Sequence, residues 1–307
     1  MKIIFGPVPS RRLGFSLGVD IIPFKTCTFD CVYCELGKTD KKTVEPVAEL
    51  QPREILQELD QTLSGPPPAL DFITITGSGE PSLHPQLGLI IEEIKKRTSV
   101  PVALLTNGSL LFKDEVLERV LKADLVLPSL DASDEAGFQT INRPHPSLSF
   151  ENLINGLTRL GNSPGPQIWL EVLLLKGMND DPAQMERIGH YINKINPEKV
   201  QLNTVVRPPV EGYACPLPDR QLQAIQKILG PRAEIIAGPA RDKSQPAGKM
   251  MESKILELVA RRPCTAQDIA QTLGLSEEKT ASLLRGLIRG EKIKVEVFDR
   301  QDFYRSL

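Results

Sequence analysis

The sequence predicts an α/β fold of repeated strand–helix units followed by a small, mainly helical unit. Two observations predict it. Short β-branched or apolar runs alternate with stretches of helical spacing through the first two thirds of the chain, as parallel sheets require. A Pro-, Gly- and Ala-rich stretch, Gly230 to Lys249, then separates that pattern from a different one. The expected division is a barrel-like domain over 1–240, a linker over 241–249 and a second domain over 250–307.

Lys2 to Gly18 is a short apolar run followed by Pro7-Val8-Pro9-Ser10-Arg11-Arg12-Leu13-Gly14, whose prolines and glycines suggest a loop or hairpin. Val19–Phe24 reads as the first buried strand. Helical spacing follows over Pro52–Leu63, with Pro in the first turn, and Phe72–Thr76 is a β-branched strand. Helices are expected at Pro85–Arg97, Lys113–Lys122, Phe150–Leu160, Pro182–Lys194 and Pro218–Leu229. Strands are expected at Pro101–Leu105, Leu125–Leu127, Ile168–Leu175 and Lys199–Thr204, with a possible extra strand at Glu234–Ala237. Counting from the first strand gives six β/α units, too few for an eightfold barrel but ordered as one.

After the linker, Ser253–Arg261 is helical, Thr265 is a good N-cap, and Ser276-Glu277-Glu278-Lys279 caps a helix running to Ile288. Lys292–Phe298 and Asp302–Arg305 read as two strands of a wing. This order resembles a winged helix-turn-helix domain, a fold whose usual role is DNA binding. From Met250 to Leu307 there are 10 Lys and Arg against 9 Asp and Glu, a net of +1 where a DNA reader would show a basic face. A docking or substrate-presenting module is the preferred reading, and DNA binding is not expected.

The chemistry concentrates in Cys27-Thr28-Phe29-Asp30-Cys31-Val32-Tyr33-Cys34, which holds three of the five cysteines. Three thiolates do not close a tetrahedral zinc site, and an odd count forbids neat disulfide pairing. Thiolates are the soft ligands of iron–sulfur clusters, and a cubane held by three of them leaves one iron open. The alternative is a zinc loop borrowing a remote fourth ligand, for which Cys215 and Cys264 are the spare thiols.

Cys27, Cys31 and Cys34, with Tyr33 before the last, resemble the signature loop of the radical S-adenosylmethionine (SAM) superfamily. The resemblance implies an open partial (β/α)6 barrel, a 4Fe–4S cluster on these cysteines, and SAM bound at the open iron with Tyr33 near its adenine. Gly77-Ser78-Gly79-Glu80 follows a strand and resembles the turn that receives the SAM amino group, with Ser78 in place of a glycine. Asn107, Ser129 and Asp131 end the next two strands and stand at positions that contact the ribose and methionine parts of SAM in that superfamily. Arg143 and Lys176 are candidate cleft cations, and Cys215 a candidate hydrogen-atom donor to a product radical. Cys264 reads as structural.

The resemblance further implies a one-electron donor such as flavodoxin or ferredoxin, and reductive cleavage of SAM to a 5′-deoxyadenosyl radical that abstracts hydrogen from a substrate. Residues 7–14 and 77–85 look most like proteins grouped with wyosine-type tRNA-modifying enzymes. Cysteines for a second cluster are lacking, and residues 1–249 carry 27 basic against 30 acidic residues, a poor balance for gripping phosphates. A protein or peptide substrate is therefore placed ahead of tRNA. An iron–sulfur or SAM-sensing DNA-binding regulator is the reading from a different class.

At a net charge of −2 with 40% hydrophobic residues, composition gives no electrostatic argument for nucleic acid or membrane surfaces. No apolar stretch approaches membrane-spanning length, and the expected setting is the reducing cytoplasm, with an oxygen-sensitive centre.

Overall fold

Apolar runs between amphipathic helices assemble, in a computed structural model of the chain, into an eight-stranded sheet. The structure describes residues 3–64, 70–236 and 251–307. The chain opens with β1 (Ile4–Ser10) and β2 (Gly14–Asp20), an antiparallel hairpin. The cysteine segment starts at β3 (Thr26–Cys27), which pairs in parallel with β4 (Lys41–Lys42). Helix α1 (Pro52–Leu63), β5 (Phe72–Thr76), α2 (Leu87–Arg97), β6 (Val102–Thr106), α3 (Asp114–Val120) and β7 (Leu125–Pro128) then alternate. A short α4 (Glu135–Gly137) precedes α5 (Phe150–Gly161), β8 (Gln167–Leu174), α6 (Pro182–Ile195), β9 (Lys199–Thr204), α7 (Asp219–Leu229) and β10 (Ala233–Ile235). The sheet order is β1-β2-β5-β6-β7-β8-β9-β10, and every pairing from β2 onward is parallel.

Side-chain alternation divides the faces of this sheet. On β8, Ile168, Leu170, Val172 and Leu174 are buried in the main core, whereas Trp169, Glu171 and Leu173 on the other face stay partly accessible. Helices supply the complementary stripes, such as Ile55, Leu56 and Leu59 of α1. Each such side chain contributes roughly 1.5–3 kcal/mol when fully buried.

The sheet is curled. In a flat sheet β2 and β8 would lie about 19 Å apart, four strand spacings. Yet Arg12, in the β1–β2 turn, bonds Glu171 on β8 at 2.6 Å, and Arg11 reaches Asn203 on β9 at 3.3 Å. Leu13 of the same turn is buried with Ala103, Leu125 and Leu127, near the starts of β6 and β7. The hairpin turn therefore closes the amino-terminal end of a partial barrel.

Val19–Phe24 does not form the first strand as the sequence suggests. Strand β2 ends at Asp20, opposite Thr76, the last residue of β5. Beyond that point β5 has turned away and Pro23 has no N–H to offer, so Ile21 and Ile22 are buried in the core without sheet pairing. Strand β10 appears at Ala233–Ile235, and Ala237 and the expected linker over 241–249 lie outside the described residues.

The last part of the chain comprises α8 (Met251–Arg261), β11 (Cys264–Thr265), α9 (Ala266–Leu273), α10 (Glu277–Arg289), β12 (Ile293–Phe298) and β13 (Gln301–Ser306). Its three strands form a separate sheet over a separate apolar cluster that includes Ile255, Ile269, Leu284 and Leu287. Thr265 caps α9 in a reciprocal box with Asp268, and Ser276 caps α10.

Candidate active site

Two apolar anchors fix the cysteine loop. Phe29 packs edge-on against Phe138 at 5.3 Å, and Val32 is buried with Ile141, Leu175, Val205 and Ala214. Backbone bonds tie the loop on both sides: Val32 N–H donates to Ile141, and Val210 N–H and Glu211 N–H donate to Cys34 and Val32. Between these anchors Cys27, Cys31 and Cys34 remain free thiols, each partly accessible.

Amide donors face two of the sulfurs. Asn107 Nδ2 lies 3.6 Å from Cys27 Sγ and also donates to Thr28 Oγ1 at 2.8 Å. Asn142 Nδ2 lies 3.6 Å from Cys31 Sγ and donates to Asp131 Oδ2 at 3.0 Å. Burial and the neighbouring Glu80 push the Cys27 thiol up to about 12. Burial, Cys27 and Asp131 hold Cys31 well above the usual thiol range. Cys34 is raised by burial against the opposing pull of Lys25. The Lys25 ammonium is held by the Gly37 carbonyl, so a fixed cation stands beside the loop.

The turn after β5 is fitted against this loop. Lys25 N–H donates to Ser78 O at 2.7 Å and Glu80 N–H to Thr26 O at 3.1 Å. A Cβ on Gly79 would stand 1.7 Å from Thr26 O, so only glycine allows the approach. Ser78 gives both its N–H and its hydroxyl to Asp20, at 3.0 and 2.5 Å. Glu80 is buried, and its carboxylate accepts from Ser82 N, Thr106 Oγ1 and Asn107 N. It braces the turn against the end of β6.

Asp131 is likewise engaged. Its oxygens accept from the Tyr33 hydroxyl, Asn142 Nδ2 and Leu173 N–H. Burial raises its pKa to about 6. It thus ties the β7 end to the cysteine loop through Tyr33. Ser129 bridges Glu171 across β7 and β8 and is partly accessible.

The structure brings together the cysteines, Tyr33, the 77–80 turn, Asn107 and Asp131. Among the described residues no hydrogen bond joins the side chains of the other four candidates, Ser129, Arg143, Lys176 and Cys215, to these groups, although the Arg143 carbonyl accepts from Asp30 N–H of the cysteine loop at 3.2 Å. Arg143 is spent on Glu211 at 2.6 Å and Tyr213 at 2.7 Å. Lys176 and Cys215 are exposed and joined to each other by the backbone bond from Lys176 N to Cys215 O. Sequence reasoning missed Asn142 and Lys25, although Asn142 lies in the segment singled out for its neighbour Arg143. It also missed the barrel-facing pairs Arg12–Glu171 and Arg11–Asn203, whose only signal is charge beside a predicted buried strand.

The donor set fits a cubane: three thiols stand on one loop, and amide N–H groups face two of the sulfurs. Cubane thiolates bind separate irons, and N–H groups facing sulfur are the usual outer partners of such ligands.

An open, mostly parallel barrel carrying three free cysteines at its carboxyl end defines a class, and the Radical SAM superfamily family model matches residues 21–187. The chain belongs to that superfamily, whose enzymes use a 4Fe–4S cluster and SAM. Within it the chain belongs to the UPF0026 family. A UPF0026 protein of Methanocaldococcus jannaschii is 31% identical over 99% of this chain and 96% of its own length. A Brachyspira hyodysenteriae protein named GTPase Obg is 37% identical over 96% of this chain, which spans 44% of that protein. A radical SAM methyltransferase from Sphaerobacter thermophilus superposes with a TM-score of 0.54 over 72% of this chain and 66% of its own, at 17% identity, a likeness of fold. No helix among the described residues is long and apolar enough to cross a membrane.

Proposed function

We propose that this protein is a single-cluster radical SAM enzyme in which Cys27, Cys31 and Cys34 hold the 4Fe–4S cluster and the 77–79 backbone receives the SAM amino group. The observation that carries this reading is the junction of the two segments: the Gly79 approach to Thr26 sets the turn directly against Cys27. Bound there, the cluster and SAM would supply a 5′-deoxyadenosyl radical for hydrogen abstraction, with the electron coming from a donor such as flavodoxin or ferredoxin. The chain's own residues do the rest. Asn107 and Asn142 present N–H groups to the sulfurs, Lys25 offsets negative charge, and Asp131 with Tyr33 fixes the loop. Ser129, just past the end of β7, bridges Glu171 on β8, and Leu13 is buried with Ala103, Leu125 and Leu127 at the other end of the strands.

We place a protein or peptide substrate ahead of tRNA, with residues 250–307 as a winged helix-turn-helix module that presents the target. Support comes from where the arginines point. Arg11 and Arg12, in the motif that resembles wyosine-type proteins, face the barrel interior rather than an outer surface that could grip a nucleic-acid backbone. In the last module, Arg261 and Arg262 are committed to Asp20 and Glu35 of the barrel.

Anaerobic reconstitution with iron and sulfide, reduction and addition of SAM test the reading. Wild type is expected to bind four irons and release 5′-deoxyadenosine, and Cys27→Ala, Cys31→Ala and Cys34→Ala to lose both. Wild-type protein that takes up iron but releases no 5′-deoxyadenosine, while binding a specific DNA at moderate salt, would instead establish the regulator.

A further inference from the structure

Arg11 is a largely buried cation with no acid in direct ion-pair contact among the described residues; Glu35 and Glu171 act on it only from a distance, Glu171 through Asn203. Arg12 Nη1 pairs with Glu171 Oε2 at 2.6 Å, and Asn203 Nδ2 takes Glu171 Oε1 at 2.8 Å, so both oxygens of that carboxylate are engaged. Arg207 pairs with Glu35 at 3.2 Å and lies 3.8 Å from Asp268. Arg11 has only Asn203 Oδ1, a neutral acceptor, at 3.3 Å, and among the described residues no carboxylate lies within ion-pair reach of it. Burial, together with the Arg207 and Arg12 guanidiniums, lowers its pKa to about 10. Among the described residues the Nε of Arg207 is buried without a hydrogen-bond partner.

A guanidinium has five N–H donors in a fixed fork. Asn203 orients that of Arg11 through one of them without neutralising it, whereas the adjacent Arg12 is given an acid. A purely structural arginine in this position would be expected to share in the pairing. An oxyanion would engage two of the open donors in parallel and supply the missing charge.

We infer that Arg11, oriented by Asn203 and flanked by Arg12, is the seat for an anionic group, a carboxylate or a phosphate, of the molecule that enters the barrel. Its place sets the level of that group. Asn203 stands opposite Leu173 in the β8–β9 register, and Leu173 N–H holds the Asp131 that braces Tyr33. Asn203 and Leu173 are each next to last in their strands, so Asn203 holds the seat at the carboxyl ends of β8 and β9, and the anionic end is fixed on the level of the cysteine loop. That the molecule is the substrate rests on the radical SAM reading; the seat itself does not.

Isothermal titration of the full-length, anaerobically purified protein with inorganic phosphate, and separately with malonate, tests the seat at constant ionic strength. Wild type should bind at least one of the two, and the tighter identifies the group. Arg11→Gln should weaken that binding at least roughly tenfold, as expected for a lost charged hydrogen bond. Arg11→Lys should keep part of it, and it carries the test if the glutamine variant melts early. Equal affinity in wild type and both variants, or no binding of either anion by wild type, would overturn the inference. Because the measurement needs no SAM cleavage, Arg11-dependent binding in a protein that releases no 5′-deoxyadenosine would keep the seat and reject the enzyme.

Discussion

Arg261, the last residue of α8, places Nη1 3.5 Å from Asp20 Oδ2 at the end of β2, and the same carboxylate carries the N–H and hydroxyl of Ser78. The guanidinium also covers the Phe5 ring at 4.1 Å. The carboxy-terminal module therefore reaches the turn proposed to receive SAM through one buried acid. Removing the cation leaves Asp20 buried with its pKa already raised by burial. Arg261→Ala should cost roughly 3 kcal/mol of stability and weaken SAM binding several-fold, with iron content unchanged. Equilibrium dialysis with SAM, beside a melting curve and an iron assay, checks this; wild-type SAM affinity would disprove the link.

Gly79 and Gly189 should respond oppositely to the same substitution. Gly79→Ala drives a methyl to 1.7 Å from the Thr26 carbonyl, a backbone atom that cannot rotate aside. The expected cost is about 3 kcal/mol or more, with loss of iron binding because Thr26 precedes Cys27. Gly189 lies within α6, and its nearest neighbour would be Leu229 Cδ2 at 3.6 Å. Gly189→Ala should stabilise by roughly 0.5–1 kcal/mol. Chemical denaturation of both variants is the measurement, and equal effects would contradict the packing.

Asn107 and Asn142 should tune the reconstituted cluster rather than hold it. An N–H facing a thiolate stabilises added negative charge, so its loss lowers the reduction potential. Asn107→Ala and Asn142→Ala should each bind a full complement of iron and titrate at a more negative midpoint, followed by EPR. Unchanged midpoints in both would remove these amides from the site.

Much of this arrangement was legible in the sequence because it is local. Lys199–Thr204 is a strand over its whole expected length, and Thr265 and Ser276 cap their helices, since hydrophobic period and side-chain capping act within a few residues. The cysteine loop and the 77–80 turn were legible as spacing. What stayed hidden depends on contacts between distant segments. Val19–Phe24 looks like a strand by composition, yet where it stops pairing is decided by the end of β5. Arg143 looked free to meet a ligand because Glu211, which binds it, is 68 residues away. Glu80 and Asp131 are SAM-contact candidates by type and position, but the donors that also hold them, Thr106 and Asn107 for Glu80 and Leu173 for Asp131, come from distant segments and leave no local signal.

Asp131 also makes stability depend on pH. Burial raises its pKa from 3.8 to about 6, against the lowering effect of the bonds from Tyr33, Leu173 and Asn142. Well below pH 3.8 the group is protonated in both the folded and unfolded chain and contributes no slope. Between there and about pH 6 the unfolded chain has released the proton and the folded chain retains it, so stability falls as pH rises. The penalty is complete above pH 6 and amounts to about 3 kcal/mol. Asp131→Asn keeps an oxygen for the Tyr33 hydroxyl and removes the titration. Urea denaturation of both proteins from pH 4.5 to 7.5, a window chosen to bracket the raised pKa of about 6, should show wild type losing stability relative to the variant as pH increases. Parallel curves would mean that Asp131 is ionised in the folded chain across the whole range, with its charge already satisfied by the three donors around it.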